Sequence, residues 1–446
     1  MSERAANDPI GRRLPEWAAA YWERDLVKIF GTLGVVYALY LLVGAVLGYD
    51  LSGQLNSLRR ITFLIVVYGI AALVVNLHWG YSGLFNIGVV GFMAIGVYTT
   101  TILSSPVAGQ NPTGSLPGFG VPLPIAAVVG ILVAAAAGYV AALPSLRLRD
   151  DYFAIVTLAF AEIVRITFKS SELQEVTVFG WTFGTGGGRG IRTFSNPVRD
   201  FFDTTGQPIV AAVEGLGIDG QLVSGWAFVF TLLLILVGTY WLINRLSASP
   251  FGRVLKGIRD DEEATQSLAK ETSSFKIRAF VIGCGILGLL GIIWQGASSG
   301  YITPGRFVPE LTFFIWIAVI VGGAGSNTGT IIGTILFVGI VYEGPGYVRR
   351  VVEQVIDISG SVPTFPDAVA AIGGGDITPI LAYTFDQTST LRVVLTGLLL
   401  IWLLKRRPEG LFGHRREVAA SIDLEERVRS RRQDSSTEQA EGGGVD

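Results

Sequence analysis

Few side chains in this 446-residue chain are of a type and spacing that could make or break covalent bonds. There are two histidines, His78 and His414, and one cysteine, Cys284. Two histidines and one thiol are too few for a His/Cys metal site, and a lone cysteine forms no internal disulfide. Cys284 sits in an apolar run and reads as a small packing residue. No G-x-x-x-x-G-K-[ST] loop is present to cradle a nucleotide and no H-E-x-x-H to hold zinc. ATP hydrolysis by a phosphate-binding loop and metalloproteolysis thus lack their usual groups.

The remaining polar residues of interest stand in three places. Glu162 and Arg165 fall at i and i+3 in the apolar stretch Y-F-A-I-V-T-L-A-F-A-E-I-V-R. Ionisable residues inside a membrane span are functional candidates by default, but this spacing also lets the two pair with one another. Asn76, His78 and Asn86 flank the glycines Gly80 and Gly83 of W-G-Y-S-G. A helix broken there would expose half-helix ends able to line a solute path, although a single histidine can equally be packed and hydrogen-bonded. The aromatics Tyr152 and Phe153 read as core or interface residues. Gly322, Gly323 and Gly325 mark a second candidate break, suited to a tight turn, to close packing or to the same path. The two glycine clusters are a weak internal echo: Gly80, Gly83, Gly88 and Gly91 against Gly322, Gly325, Gly329 and Gly333. An abundance of glycine, 57 residues, could produce the same echo without a repeat.

The third place is the longest charged insert, Ser249–Arg278. Asp260 and Asp261 can cap a short helix with carboxylates at its positive end. In the following Glu262-Glu263-Ala264-Thr-Gln-Ser-Leu268-Ala269-Lys270, Ala264 and Leu268 at i and i+4 form a small apolar stripe on a polar surface. Such a helix could seat in a groove of a soluble partner. Arg253, Lys256 and Arg259 beside it are candidates for the same partner contact and could equally meet anionic lipid headgroups, and an ordinary solvated loop fits the pattern as well.

The elements that must position these residues are membrane helices. Half of the residues are hydrophobic and only 16% charged, where soluble domains carry about 25%; mean hydropathy is +0.51. Ten apolar runs approach the ~20 residues a helix needs to cross a bilayer: Val27–Leu47, Ile61–Leu77, Leu84–Leu103, Pro124–Leu143, Tyr152–Phe168, Trp226–Ile243, Ala279–Ala297, Leu311–Val321, Thr328–Tyr342 and Leu391–Leu404. The fold class is therefore an all-α polytopic membrane protein of about ten transmembrane or re-entrant helices. Continuous rather than alternating apolar runs exclude a β-barrel. Leu311–Val321 is short and Leu77–Leu84 carries two glycines, so either could be re-entrant or broken.

Lysine and arginine bias sets the sides. The 1–26 tail, the 144–151 turn with Arg147 and Arg149, the 246–278 loop and the 406–446 tail all fall on one side in a ten-span count, which is assigned to the cytoplasm with both termini. The first 25 residues lack the apolar core of a signal peptide. The segments 170–224 and 343–390 fall outside and read as ordered loops with short surface helices, either connectors or docking surfaces. Arg59 and Arg60 stand on the wrong side for this rule. The tail beyond Arg432 is polar enough to remain disordered, and a net charge of −2 leaves no basic footprint for nucleic acid.

Several stretches, in order, resemble the permease subunits of branched-chain amino acid ATP-binding-cassette importers. They are N-L-H-W-G-Y-S-G-L-F-N-I-G-V-V-G-F-M-A-I-G-V-Y-T-T (76–100), L-R-L-R-D-D-Y-F-A-I-V-T-L-A-F-A-E-I-V-R-I (146–166) and the charged insert G-R-V-L-K-G-I-R-D-D-E-E-A-T-Q-S-L-A-K. G-Y-I-T-P-G-R-F (300–307), V-G-G-A-G-S-N-T-G-T-I-I-G (321–333) and R-P-E-G-L-F-G (407–413) complete the set. The resemblance implies no enzyme activity in this chain. It implies two permease chains, two cytoplasmic ATPases that bind ATP and Mg, and an extracytoplasmic solute-binding protein, in a prokaryotic cell membrane. It further implies that Asp260 to Ala269 form the helix that couples to the ATPase. The family usually has glycine after the loop leucine, whereas Ala269 follows Leu268 here; a helix running slightly longer is the expectation. Urea or short-amide permeases are sibling readings, and an ion-coupled secondary transporter is a rival for which Glu162 is the one fair candidate.

Overall fold

A computed structural model describes residues 25–110, 116–145, 150–215, 217–355, 364–374, 377–407 and 409–412. Arg147, Arg149, Gly413, the 1–24 tail and the chain from His414 on lie outside the described residues. Each of the ten apolar runs coincides with a helix. Seven helices are long and apolar enough to cross a membrane: Asp25–Val46, Leu51–Tyr81, Leu123–Leu143, Gln221–Ala248, Thr272–Gly296, Pro304–Gly322 and Asn327–Gln354, with Val89–Ser104 a shorter apolar one. The two other helices in the expected positions, Asp150–Lys169 and Thr388–Arg406, carry charges at their ends and within them. The chain is a polytopic α-helical membrane protein.

In chain order the principal helices are α1 (Asp25–Val46), α2 (Leu51–Val75), α3 (Val89–Ser104), α4 (Leu123–Ser145) and α5 (Asp150–Lys169). Next come α6 (Pro197–Thr204), α7 (Gln207–Glu214), α8 (Gln221–Ala248), α9 (Pro250–Asp260), α10 (Glu262–Ser267) and α11 (Thr272–Gly291). The last are α12 (Pro309–Gly322), α13 (Asn327–Leu336), α14 (Gly344–Val355), α15 (Phe365–Gly373), α16 (Thr378–Asp386) and α17 (Thr388–Arg406). α2, α11 and α13 each end in a widened π turn, at Asn76–Tyr81, Ile292–Gly296 and Phe337–Tyr342.

α2 is the axis of the bundle. Of its most apolar window 89% is buried inside the protein, against 17% for α1. A helix apolar all round is a core helix when other helices surround it, and α8, α12 and α13 pack on α2. α1 instead presents most of its apolar surface outward, as a lipid-facing helix does. A second packing unit joins α3, α4 and α11. Small residues let these backbones approach: a Cβ on Gly96 would lie 2.5 Å from the Gly288 Cα, and one on Gly130 would lie 2.7 Å from the Gly96 carbonyl oxygen. Cys284 is buried against Gly138.

The two ends of the bundle are distinct. At one, the hairpin of β1 (Val176–Val178) and β2 (Trp181–Phe183) turns through Phe179 and Gly180, both with positive φ. Trp181 of that hairpin stacks on Phe119. At the same end β3 (Ile191–Arg192) pairs antiparallel with β4 (Tyr301–Ile302), and Thr193 Oγ1 donates to the Gly296 carbonyl (2.8 Å). The segments 170–224 and 343–390 thus hold short helices and strand pairs. Arg60 is also here, and it meets Glu343 at 3.3 Å. Arg59 bonds Asn56 at 2.7 Å. Each of the two misplaced arginines has a partner at its own helix end. At the other end lie α9, α10, the glycine clusters and residues 410–412.

Candidate functional site

The site is built on two helix breaks. α2 reaches Val75, widens through Asn76–Tyr81, and gives way to irregular chain until α3 begins at Val89, five residues later than the apolar run suggests. Irregular backbone within a bundle must find partners inside the protein. Here some are local, Gly83 N donating to Trp79 O (3.0 Å) and Leu84 N to His78 O (2.7 Å), and others come from distant helices. Ser82 Oγ also donates to His78 O (2.5 Å). Gly88 N donates to Asn86 Oδ1 (2.8 Å), Ile87 N to Thr157 Oγ1 (3.1 Å), and Trp316 Nε1 to the Asn86 carbonyl (2.9 Å). His78 is fully buried; Nδ1 lies 3.2 Å from Asn86 Nδ2, and its ring packs on Phe280.

The second break separates α12 from α13. Gly323 and Gly325 take φ of +100° and +85°, the left-handed side of the map that glycine enters at no steric cost. Ser326 caps α13, its Oγ accepting from Gly329 N (3.0 Å). Residues 411 and 412 fold back onto this break, Leu411 N donating to Val321 O (2.9 Å) and Phe412 N to Gly322 O (3.1 Å). Orphan carbonyls at the end of α12 are thereby satisfied.

Asn76 joins the two breaks. Its Oδ1 accepts from the Gly325 N–H (2.7 Å) and its Nδ2 donates to Asn327 Oδ1 (2.9 Å). Asn327 passes the chain on to Asn244 Oδ1 (3.2 Å). Asn244 opens on a surface cleft of about 530 Å³ lined also by Trp241, Arg245, Ala248 and Ser249. The backbones touch here, since a Cβ on Gly80 would come 2.5 Å from the Gly325 nitrogen. The two glycine clusters that echo each other in sequence therefore face each other in space.

The charged insert is two helices, not one. α9 starts at the Ser249 cap with Pro250 in its first turn and buries Gly252, Leu255 and Ile258 along one face. It ends at Asp260. Asp261 then has extended backbone and caps α10, its carboxylate accepting from Ala264 N (2.9 Å). The expectation of one helix over Asp260 to Ala269 is corrected: Asp260 closes α9, α10 stops at Ser267, and Leu268 and Ala269 lie beyond it. The longer helix anticipated from the missing glycine does not form, because Ala269 itself adopts φ +57°. Glu263 and Ala264 are exposed, as is Leu268 at 74%. Glu262 turns back to Lys276 of α11, Nζ to Oε2 being 2.6 Å, with the lysine buried.

Arg253 is exposed on α9, whereas Lys256 and Arg259 face the first break. Lys256 Nζ lies 6.0 Å from the Tyr81 ring centroid and Arg259 Nη1 donates to Gly80 O (2.6 Å). Asn76 and Gly80 are brought into contact with Gly325, and Gly322 and Gly323 complete its turn, whereas Gly83 faces Arg259, and His78 lies against Asn86 and Phe280. Glu162 belongs to neither break; Arg165 holds both its oxygens, one at 2.8 Å. Asn244, Asn327, Thr157, Trp316 and Lys276 are site residues that sequence reasoning missed. Of these, Asn327 carried a signal, a polar amide directly after a glycine break. Among the described residues no group of three or more His, Cys, Asp or Glu converges as a metal site requires. Amides, hydroxyls and exposed backbone at a paired break suit hydrogen bonding and hinge motion.

A bundle of broken membrane helices with a capped, exposed helix at one end defines a membrane transport component. Residues 57–404 match the family described as "Branched-chain amino acid transport system / permease component", and the chain belongs to that family. It is 36% identical over 290 residues to the high-affinity branched-chain amino acid transport system permease protein LivM of Escherichia coli strain K12, covering 62% of this chain and 61% of that one. The corresponding protein of Salmonella typhimurium is 33% identical over the same shares. A probable branched-chain amino acid transport permease protein LivM of Methanocaldococcus jannaschii is 24% identical over 61% of this chain and 76% of its own. The alignment thus spans less than two thirds of the length of the two bacterial relatives. No solved structure matches the chain.

Proposed function

We propose that this chain is the permease subunit of an ATP-binding-cassette importer of branched-chain amino acids. It would form the translocation path with a second permease chain in a prokaryotic cell membrane. An extracytoplasmic binding protein delivers solute to the end that carries β1–β4, and cytoplasmic ATPases, with their own ATP and Mg, bind the end that carries α10. Both termini then lie in the cytoplasm. The observation that carries this reading is α10 with its C-terminal turn: a helix capped by Asp261 that exposes Ala264, followed at once by exposed Leu268, and tethered to the spans on both sides. An apolar pair displayed at the membrane end of a rigid tether supports docking into a groove of a soluble partner. Closure of that partner would move α9 and α10 and, through them, the helices they adjoin. Glu162 supports the ion-coupled alternative poorly, because Arg165 occupies its carboxylate.

Ala264→Arg tests the reading. It places a long cation in the docking face without touching a buried residue. The expected outcome is normal membrane insertion, loss of the co-purifying ATPase and at least a tenfold drop in leucine uptake. Normal ATPase recovery with this variant would refute the docking role, and uptake that survives ATP depletion in the parent would refute the importer itself.

A further inference from the structure

We infer that Arg259 is a positioning residue, the joint through which movement of the α9–α10 loop reaches the paired helix breaks. The inference rests on the reading of α10 as the docking helix, and it assigns Arg259 a task other than touching the docked partner. On pattern alone its position beside the capping aspartates counted it with the cations that could face outward. In the structure the side chain is 40% exposed, but its Nη1 reaches inward to the bundle.

Its guanidinium makes three hydrogen bonds. Nη1 donates to the Gly80 carbonyl (2.6 Å), while Nε and Nη2 both donate to Asp260 Oδ1 (3.2 and 3.1 Å). Gly80 lies in the π turn, whose widened geometry tips carbonyls out of the helical ladder and leaves them open to an outside donor. A planar guanidinium held from one side by a carboxylate presents its remaining N–H groups in a fixed fork. Asp260 therefore aims Arg259 at Gly80, and it does so from the last residue before the Asp261 cap of α10. The backbone closes in behind it: a Cβ on Gly83 would be 3.6 Å from the Arg259 Cα, and one on Gly325 would be 2.9 Å from Nη1. One side chain of the loop thus touches both breaks at the point where Asn76 bonds Gly325 (2.7 Å).

The mechanical consequence follows from which bonds are shared. α9 cannot rock away from the bundle without withdrawing a charge-assisted hydrogen bond from Gly80, and a lost one leaves a bundle carbonyl unpaired. With Arg259 seated, the two breaks are held together at this end. When a docked partner pulls α10, Asp260 and Arg259 move as one piece with it, and the Gly80–Gly325 contact is freed to part. Lys276–Glu262 supplies the second tether, to α11, so the loop moves its neighbours rather than flexing alone.

The test uses the complete importer, with permease pair, ATPases and binding protein, in proteoliposomes. ATPase recovery, basal hydrolysis, stimulation by solute-loaded binding protein and leucine taken up per ATP are measured together. Arg259→Ala is expected to retain the ATPase at wild-type stoichiometry and to hydrolyse ATP at its basal rate. Stimulation should vanish, and uptake per ATP should fall at least tenfold. Arg259→Lys keeps the charge but cannot hold Asp260 and Gly80 together, and should fall between the two; it carries the test if the alanine variant is not recovered from the membrane. Uptake per ATP within twofold of wild type in the recovered variant overturns the inference. Loss of the ATPase from either variant also overturns it, since Arg259 would then be a docking contact. Failure of the unsubstituted permease to recover an ATPase would instead defeat the docking reading beneath it.

Discussion

Arg60 and Glu343 show how a charge can sit against the lysine–arginine bias without disturbing it. The carboxylate is 7% exposed and the guanidinium 56%, and their closest atoms are 3.3 Å apart. That asymmetry predicts unequal costs. Arg60→Ala strips a buried carboxylate of its hydrogen-bonded cation, whereas Glu343→Gln leaves a half-exposed arginine that water can solvate. Removing one member of a buried pair is costly because of the charge left behind, and an unsatisfied buried group costs about 1–3 kcal/mol. Arg60→Ala should therefore destabilise the detergent-solubilised protein by about 1–3 kcal/mol, and Glu343→Gln by under about 1 kcal/mol. The double variant should resemble Glu343→Gln alone. Denaturant titration with a fluorescent reporter of unfolding checks all three, and equal costs for the two single changes would refute the argument.

At the scale of elements, the loop shows what periodicity reveals and what it conceals. The helices were legible because an apolar run near 20 residues is a strong signal, and each of the ten runs holds a helix, seven of which are long and apolar enough to cross a membrane. The cap on α10 was legible too, as paired aspartates before a polar helix, but which aspartate caps was not: Asp260 and Asp261 have the same chemistry, and the extended backbone at Asp261 decides. The π turns had no signal because each stands at the end of its helix, so no long apolar stripe follows to show the shift in register. Nor could any local pattern show that Asn76 bonds Gly325, 249 positions away. Ala269 carries a prediction here. At φ +57° an alanine Cβ costs about 1–2 kcal/mol, while glycine loses about 0.5–1 kcal/mol more entropy on folding. Ala269→Gly should thus leave the protein as stable or up to about 1 kcal/mol more so, and should slow protease cleavage of residues 268–271. Ala269→Val, with a branched side chain in the same conformation, should speed cleavage; the reverse order would show that the turn is not held in this shape.

The whole molecule is a permease-family bundle, each end of which is held by contacts distant in sequence. Gly80, Gly325, Arg259 and Leu411 meet at one end; Arg60 with Glu343, and Ile191 with Ile302, meet at the other. Ten helices alternating between these ends would return the chain to the side from which it entered, the orientation that we propose from the positive charge of the 246–278 loop and the Lys405–Arg407 exit. Labelling tests this at positions that packing leaves free. Ser267 is exposed at the end of α10, and Phe179, 99% exposed, is the tip of the β1–β2 hairpin. In a Cys284→Ala background, which removes the native thiol buried against Gly138, Phe179→Cys should react with a membrane-impermeant maleimide added to intact cells. Ser267→Cys should react only in inverted vesicles. Labelling of both from one side would place the hairpin and α10 on the same face of the membrane. The proposed delivery end and motor end would then coincide, and a path from one to the other would fail.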